Sequence, residues 1–219
     1  MFITVEGVEG CGKTTILKMV YETLVNQNYD ILLTREPGGV KISEQIRGII
    51  LDKENKSLDD RSEALLFAAS RRQLLVEKIW PALKEGKIVL CDRYVDSSLA
   101  YQGGGKKLGI DEVLSINLFA TENTLPDLTV LFDIDPELGL KRIAQNSNRE
   151  VNRLDLQELD FYNRVRNTFL ELAKRYPERY VIVDASLPMD EVYKKVLEVV
   201  KNRIDENWRI FRKKPANPL

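Results

Sequence analysis

Histidine is absent from this chain. That removes imidazole general bases, Ser-His and Cys-His pairs, and histidine metal sites together. Cysteine is scarce: Cys11 and Cys91 are the only two, so no four-ligand zinc site can be assembled from Cys and His. One falls in a glycine-rich turn and the other in an apolar run, which predicts two free thiols rather than a disulfide. A charge excess is lacking as well. Lys and Arg number 33 against 34 Asp and Glu, for a formal charge of -1, whereas a protein that lives on duplex DNA carries a basic surplus. Long apolar runs are missing, "ALLFAA" being typical and far short of a bilayer span, and no basic stretch precedes an apolar one at the N-terminus. The expectation is a cytoplasmic protein with neither nucleic acid nor membrane as partner. The chemistry left over is that of carboxylates, hydroxyls, lysine and arginine, which suits phosphate and Mg²⁺.

Short β-rich runs alternate with longer helical patterns along the 219 residues. Strands are expected at 2–6, 31–35, 87–92, 128–134 and 180–185, each apolar on both faces as in a covered parallel sheet. Apolar residues recur at three- and four-residue spacing in "KTTILKMVYETLVNQ", in "RSEALLFAASRRQLLVEKIWPAL", and across 136–146, 158–175 and 189–204. The alternation predicts an α/β sandwich with right-handed crossovers. Neither a repeat nor a linker divides it, so residues 1–204 are expected to form one domain. The remainder, 205–219, ends in "RIFRKKPANPL" and reads as a frayed, solvated tail.

The sharpest motif is "GVEGCGKTT". Gly7, Gly12, Lys13 and Thr14 fit G-x-x-x-x-G-K-[ST], with a strand before and a helical pattern after, as a phosphate loop requires. The glycines admit backbone angles that turn successive N–H groups inward, and the following helix adds its positive end. Gly7, Val8, Glu9, Gly10, Cys11, Gly12, Lys13 and Thr14 are therefore expected to bind ATP. Lys13 would bridge the β- and γ-phosphates, and the Thr14 hydroxyl would meet Mg²⁺. A GTP-binding switch would need Asn-Lys-x-Asp, and "NKSLD" has its aspartate one position too late. No transporter-type signature is present.

A kinase needs a second, phosphate-accepting pocket, and three segments offer one. "TREPGG" puts Arg35 at the carboxyl end of the second strand, where open α/β sheets bind ligands. "CDRYVDSSLAYQGGG" puts Asp92 and Arg93 at the same edge. "LLFAASRRQ" places Phe67 and Arg71 four apart on one helix face. Arginine forks suit a monophosphate. Taken alone, Phe67 reads as core and Arg71 as a surface charge; Asp92, ending a buried strand, reads as an Mg²⁺-side carboxylate.

Together, "GVEGCGKTT", "TREPGG", "FAASRRQ", "DRYVDSSLAYQG" and "NRLD" resemble the thymidylate kinase family, P-loop nucleoside monophosphate kinases that phosphorylate dTMP with ATP to give dTDP on the route to dTTP. The resemblance runs from residue 3 to about 200. It implies a three-layer P-loop kinase sandwich with a five-stranded parallel sheet, a short lid at about 142–154, Mg²⁺ and a homodimer. By motif position, Glu9 would face the sugar 3′-hydroxyl and the metal, with Thr14 and Asp92 as the other metal-side groups. Arg35 and Arg93 would grip the dTMP phosphate, Phe67 would stack on thymine, and Arg71 would bond a base carbonyl. Ser98, Tyr101 and Gln102 would line the nucleoside, and Tyr162 would close over the base. The loop carries no arginine before Lys13, as in the bacterial subtype, so Arg149 and Arg153 of "NREVNRLD" would join Lys13, Glu9 and Arg93 as the catalytic set; Lys141 and Arg142 read as solvated. The alternatives are a kinase for dUMP, UMP or CMP, and a nucleotide-binding regulator without transfer.

Overall fold

The computed structural model describes residues 1–145, 153 and 157–213, with side chains through Glu206. Five strands form one wholly parallel sheet: β1 (Phe2–Glu6), β2 (Ile31–Arg35), β3 (Ile88–Asp92), β4 (Leu128–Asp133) and β5 (Tyr180–Asp184), in the order β2-β3-β1-β4-β5. In register, Thr4 stands beside Cys91 on one side and Thr129 on the other. Every residue of β1 and β3 is buried, because helices cover both faces of the central strands. The edge strands β2 and β5 are only partly buried, so apolarity on both faces describes the middle of the sheet better than its rims.

Between the strands run α1 (Lys13–Asn26), α2 (Lys41–Leu51), α3 (Asp60–Leu74), α4 (Trp80–Lys84), α5 (Val95–Ser98), α6 (Ile110–Thr121), α7 (Pro136–Gln145), α8 (Leu159–Arg175) and α9 (Met189–Lys213). Asp59 caps α3 by accepting the amide hydrogens of Arg61 and Ser62 at 3.0 and 2.9 Å. From α3 the helix continues through a π turn at Leu75–Ile79 into α4. Pro81 supplies the cause: its ring would crowd the carbonyl four residues back, and the wider turn relieves that clash. A second π segment, Leu99–Gly105, follows α5. Its glycines let α8 approach closely; a Cβ on Gly104 would lie 1.9 Å from the Thr168 hydroxyl.

Several helices go beyond the sequence pattern. α2, α5 and α6 have no counterpart among the expected segments, and α9 runs past 204 to Lys213. The last core side chain along the described residues is nonetheless Ile204. No helix among the described residues is long and apolar enough to cross a membrane.

Candidate active site

The chain reverses direction across the sheet between β1 and β3, and the crevice at the carboxyl ends of these strands is where such sheets bind ligands. A cavity of about 760 Å³ opens there. Residues 9–14 of the loop after β1 line one side, and Arg35, Phe67, Arg71, Asp92, Arg93, Ser98, Tyr101 and Gln102 line the other. The phosphate loop, the strand-end segments bearing Arg35 and Asp92, and the α3 residues Phe67 and Arg71 thus meet at one site.

The phosphate loop is held by backbone close to backbone. Gly10 and Gly12 have φ of 75° and 82°, in the region glycine tolerates best. A Cβ on Gly10 would lie 2.1 Å from the carbonyl oxygen of Gly139 in α7. Lys13 is buried and its ammonium curls back to the Val8 carbonyl at 3.3 Å. The Thr14 hydroxyl donates to Asp92 Oδ2 at 2.5 Å. Asp92 Oδ1 is buried and accepts no hydrogen bond from any described residue. A hard cation with phosphate and water as its other ligands would satisfy that oxygen, so Thr14 and Asp92 fit Mg²⁺. Both oxygens of Glu9 are engaged by protein donors, so a cation there would share them with those partners. Oε1 pairs with Arg93 at 2.8 Å and Oε2 accepts from the Tyr101 hydroxyl at 2.6 Å. Burial pushes the Glu9 carboxyl up, but the charges of Arg93 and Lys13 and the Tyr101 hydrogen bond outweigh it and hold the group below its ordinary value.

Arg93 adopts φ 70°, unusual for a side chain with a Cβ. The turn aims its guanidinium at Glu9 and over the Tyr101 ring, 4.9 Å from the centroid. Burial works against the Arg93 charge, yet Tyr101, Glu9 and Asp92 keep its pKa well above the usual arginine value. Arg35 is anchored to Glu44 at 2.9 Å and to the Pro37 carbonyl at 2.9 Å. Arg47, on the unforeseen helix α2, donates to the same carbonyl at 3.0 Å and also lines the cavity. Burial first, then the charge of Arg35, pull the pKa of Arg47 below its ordinary value. Cations so crowded favour an anion between them.

Beneath this cluster, Glu6 is fully enclosed at the end of β1. It accepts the Tyr94 amide at 2.7 Å and the Ser97 hydroxyl at 2.5 Å. Burial, and then the nearby Asp96 charge, raise its carboxyl to about 8. Asp96 itself is held by Arg179, with contacts of 2.6 and 2.8 Å.

Several expected residues sit differently from their anticipated roles. Arg71 is 1% exposed and is a strut, not a surface charge. Its Nε and Nη2 reach Glu36 at 2.8 and 2.6 Å, Nη1 reaches Ser98 at 3.1 Å and Asn117, and Nη2 the Tyr94 carbonyl at 2.9 Å. Every guanidinium nitrogen already has a protein partner, so a base carbonyl must displace one of them. Burial raises Glu36 to about 7 against the pull of Arg71, and its buried Oε1 accepts no hydrogen bond from any described residue. Tyr162 is 1% exposed and does not line the cavity; it packs edge-on against Phe161, ring centroids 5.4 Å apart. Arg153 donates to the Ile50 carbonyl at 2.9 Å and to the buried carboxylate of Glu63, and is not among the residues lining the cavity. Arg142, expected to be solvated, donates to the carbonyls of Ala185 and Ser186 at 2.8 and 3.0 Å and lines the loop side of the cavity. Arg149, and with it most of 142–154, lies outside the described residues.

Residues 5–196 match the family described as thymidylate kinase. The chain is 54% identical over 200 residues to the thymidylate kinase of Clostridium novyi, covering 91% of this chain and 98% of that one. It is 55% identical to the thymidylate kinase of Anoxybacillus flavithermus, covering 92% and 96% respectively. Among solved structures, that of thymidylate kinase from Ehrlichia chaffeensis superposes with a TM-score of 0.74 at 33% identity, over 92% of this chain and 98% of that chain.

Proposed function

The chain belongs to the thymidylate kinase family, whose reaction moves the γ-phosphoryl group of ATP to dTMP, and from that premise we propose how its residues divide the work. The phosphate loop, residues 7–14, holds the ATP phosphates through its amide hydrogens, with Lys13 swinging from the Val8 carbonyl to the transferring group. Arg35, Arg47 and Arg93 receive the dTMP phosphate, and Phe67 offers its face to the base. A phosphate oxygen of dTMP is already a nucleophile, so in-line attack on the γ-phosphorus needs positioning and charge neutralisation more than a base. That agrees with a site built from cations and carboxylates. Glu9 aims Arg93 by pairing with it, and Tyr101 holds the other Glu9 oxygen. Mg²⁺, held by Thr14 and Asp92, would supply charge neutralisation at the ATP phosphates. Arg149 stays in the proposal on the resemblance alone. Arg153 also stays on the resemblance, and to reach the transferring group it would have to leave Glu63 and the Ile50 carbonyl.

We further propose a single catalytic domain over residues 1–204 with its lid at about 142–154, a cytoplasmic setting, and a homodimer. Support for a second copy comes from the α3 and α6 surface. Phe119 is 89% exposed, and Leu65 and Val76 are exposed on the neighbouring helix face, more apolar surface than solvent alone favours.

The observation that carries the reading is the single cavity joining the phosphate loop to the arginine cluster. An ADP-release assay across dTMP, dUMP, dCMP and UMP tests it. The expected order is dTMP best, dUMP moderately worse, dCMP and UMP poor; dCMP or UMP equal to dTMP would replace this reading with that of another pyrimidine nucleotide kinase.

A further inference from the structure

Glu63 lies at the start of α3, fully buried, one helical turn before Phe67. Its two oxygens have different company. Oε2 accepts from Lys106 at 2.9 Å and from Arg153, while Oε1 accepts from the side-chain amide of Gln102 at 2.9 Å. Three donors converge on one carboxylate that can only accept. Gln102 stands four residues after Ser98, lines the cavity beside Phe67 and Arg71, and is itself buried. Which end of a glutamine faces a neighbour is decided by that neighbour's chemistry. Beside an acceptor-only group, the NH₂ must turn to Glu63. The side-chain oxygen of Gln102, Oε1, is then the atom offered to the cavity that Gln102 lines.

We propose that Glu63 is a positioning residue that sets acceptor choice by locking the side-chain amide of Gln102 with its oxygen toward the base. The inference rests on the dTMP kinase reading of this cavity. Thymine and uracil present an N3–H donor on their pairing edge, whereas cytosine presents a bare N3 acceptor. An oxygen fixed at that edge suits the first and repels the second. Arg71 can only donate and so addresses a carbonyl oxygen; an acceptor for the N3–H must come from another residue of the wall, and Gln102 supplies it. A mismatched polar contact in a buried site discriminates far more strongly than a methyl group does.

The test is Glu63→Gln. Lys106 and Arg153 keep an oxygen at the Oε2 position, so the new NH₂ falls where Oε1 was and faces Gln102. Gln102 must then turn its oxygen to that donor and offer NH₂ to the cavity. The kcat/KM for dTMP should fall at least tenfold, mainly through KM, while that for dCMP should rise about tenfold. General damage to the fold cannot produce a rise. Lys106→Met leaves Glu63 facing Gln102, so its dTMP to dCMP ratio should stay within threefold of the unmodified protein. If Glu63→Gln does not fold, the double change with Lys106→Met, which removes the stranded ammonium, carries the same expectation. Parallel losses for both acceptors, or an unchanged ratio in a protein that turns over dTMP, overturns the inference. An unmodified protein that fails to phosphorylate dTMP strikes the functional reading beneath it instead.

Discussion

Two glycines of the phosphate loop, two residues apart and both at positive φ, should respond very differently to the same methyl group. Alanine at position 12 meets nothing within 4 Å, so Gly12→Ala incurs only the left-handed backbone cost, about 1.5 kcal/mol. Alanine at position 10 incurs that cost and a collision. Its Cβ would stand 2.1 Å from the oxygen, 2.6 Å from the carbon and 2.8 Å from the Cα of Gly139. These are backbone atoms of α7 and cannot rotate aside, so the loop and the helix must part, at a further cost of about 2 kcal/mol. For a domain of this size each kcal/mol moves the melting temperature by about 3 °C. Gly10→Ala should therefore melt about 10 °C below the unmodified protein and Gly12→Ala about 4–5 °C below it. Scanning calorimetry without nucleotide measures both. Equal losses would refute the account, because they would mean that the backbone contact between the loop and α7 contributes nothing.

Lys13→Ala should cut turnover by about 10³-fold or more while moving the melting temperature little, since the ammonium makes only long contacts to the Val8 carbonyl and the Cys11 sulfur; near-normal turnover would remove Lys13 from the transfer step. Glu6 makes a pH prediction. Its folded value of about 8 lies above the ordinary 4.5, so its contribution is fully present below about pH 4.5 and is lost as pH rises through 8. Glu6→Gln, which imitates the protonated form and can still accept from the Tyr94 amide, should flatten the fall in melting temperature between pH 5 and 9; a variant curve as steep as that of the unmodified protein would assign the fall to other groups.

What could be read from the chain and what could not divide along a physical line. A phosphate loop is a local object: glycine torsions, a helix start and a lysine lie within one short segment, so spacing alone identifies it. Arg35, Asp92 and Arg93 were readable because a strand end fixes where its last residues go. Helix α6 was not, since it buries one face and exposes Phe119 on another, which blurs the 3.6-residue period. The partners of buried charges were the least legible. Arg71 could be placed on the same helix face as Phe67, but nothing in "FAASRRQ" says that Glu36, Ser98 and Asn117 will come from three other segments to enclose it. Tyr162 failed in the opposite way. The helix was read correctly, but adjacent residues Phe161 and Tyr162 differ by about 100° around its axis, and no pattern in the helix itself tells which direction holds the cavity. Glu63 belongs with Arg71. Read along α3 it is an ordinary first-turn acid that favours the helix dipole; only the arrival of Gln102, Lys106 and Arg153 makes it a buried carboxylate with a directional task. Motif reading therefore finds the residues that meet the nucleotide, and the tertiary fold decides which neighbours dictate how those residues point.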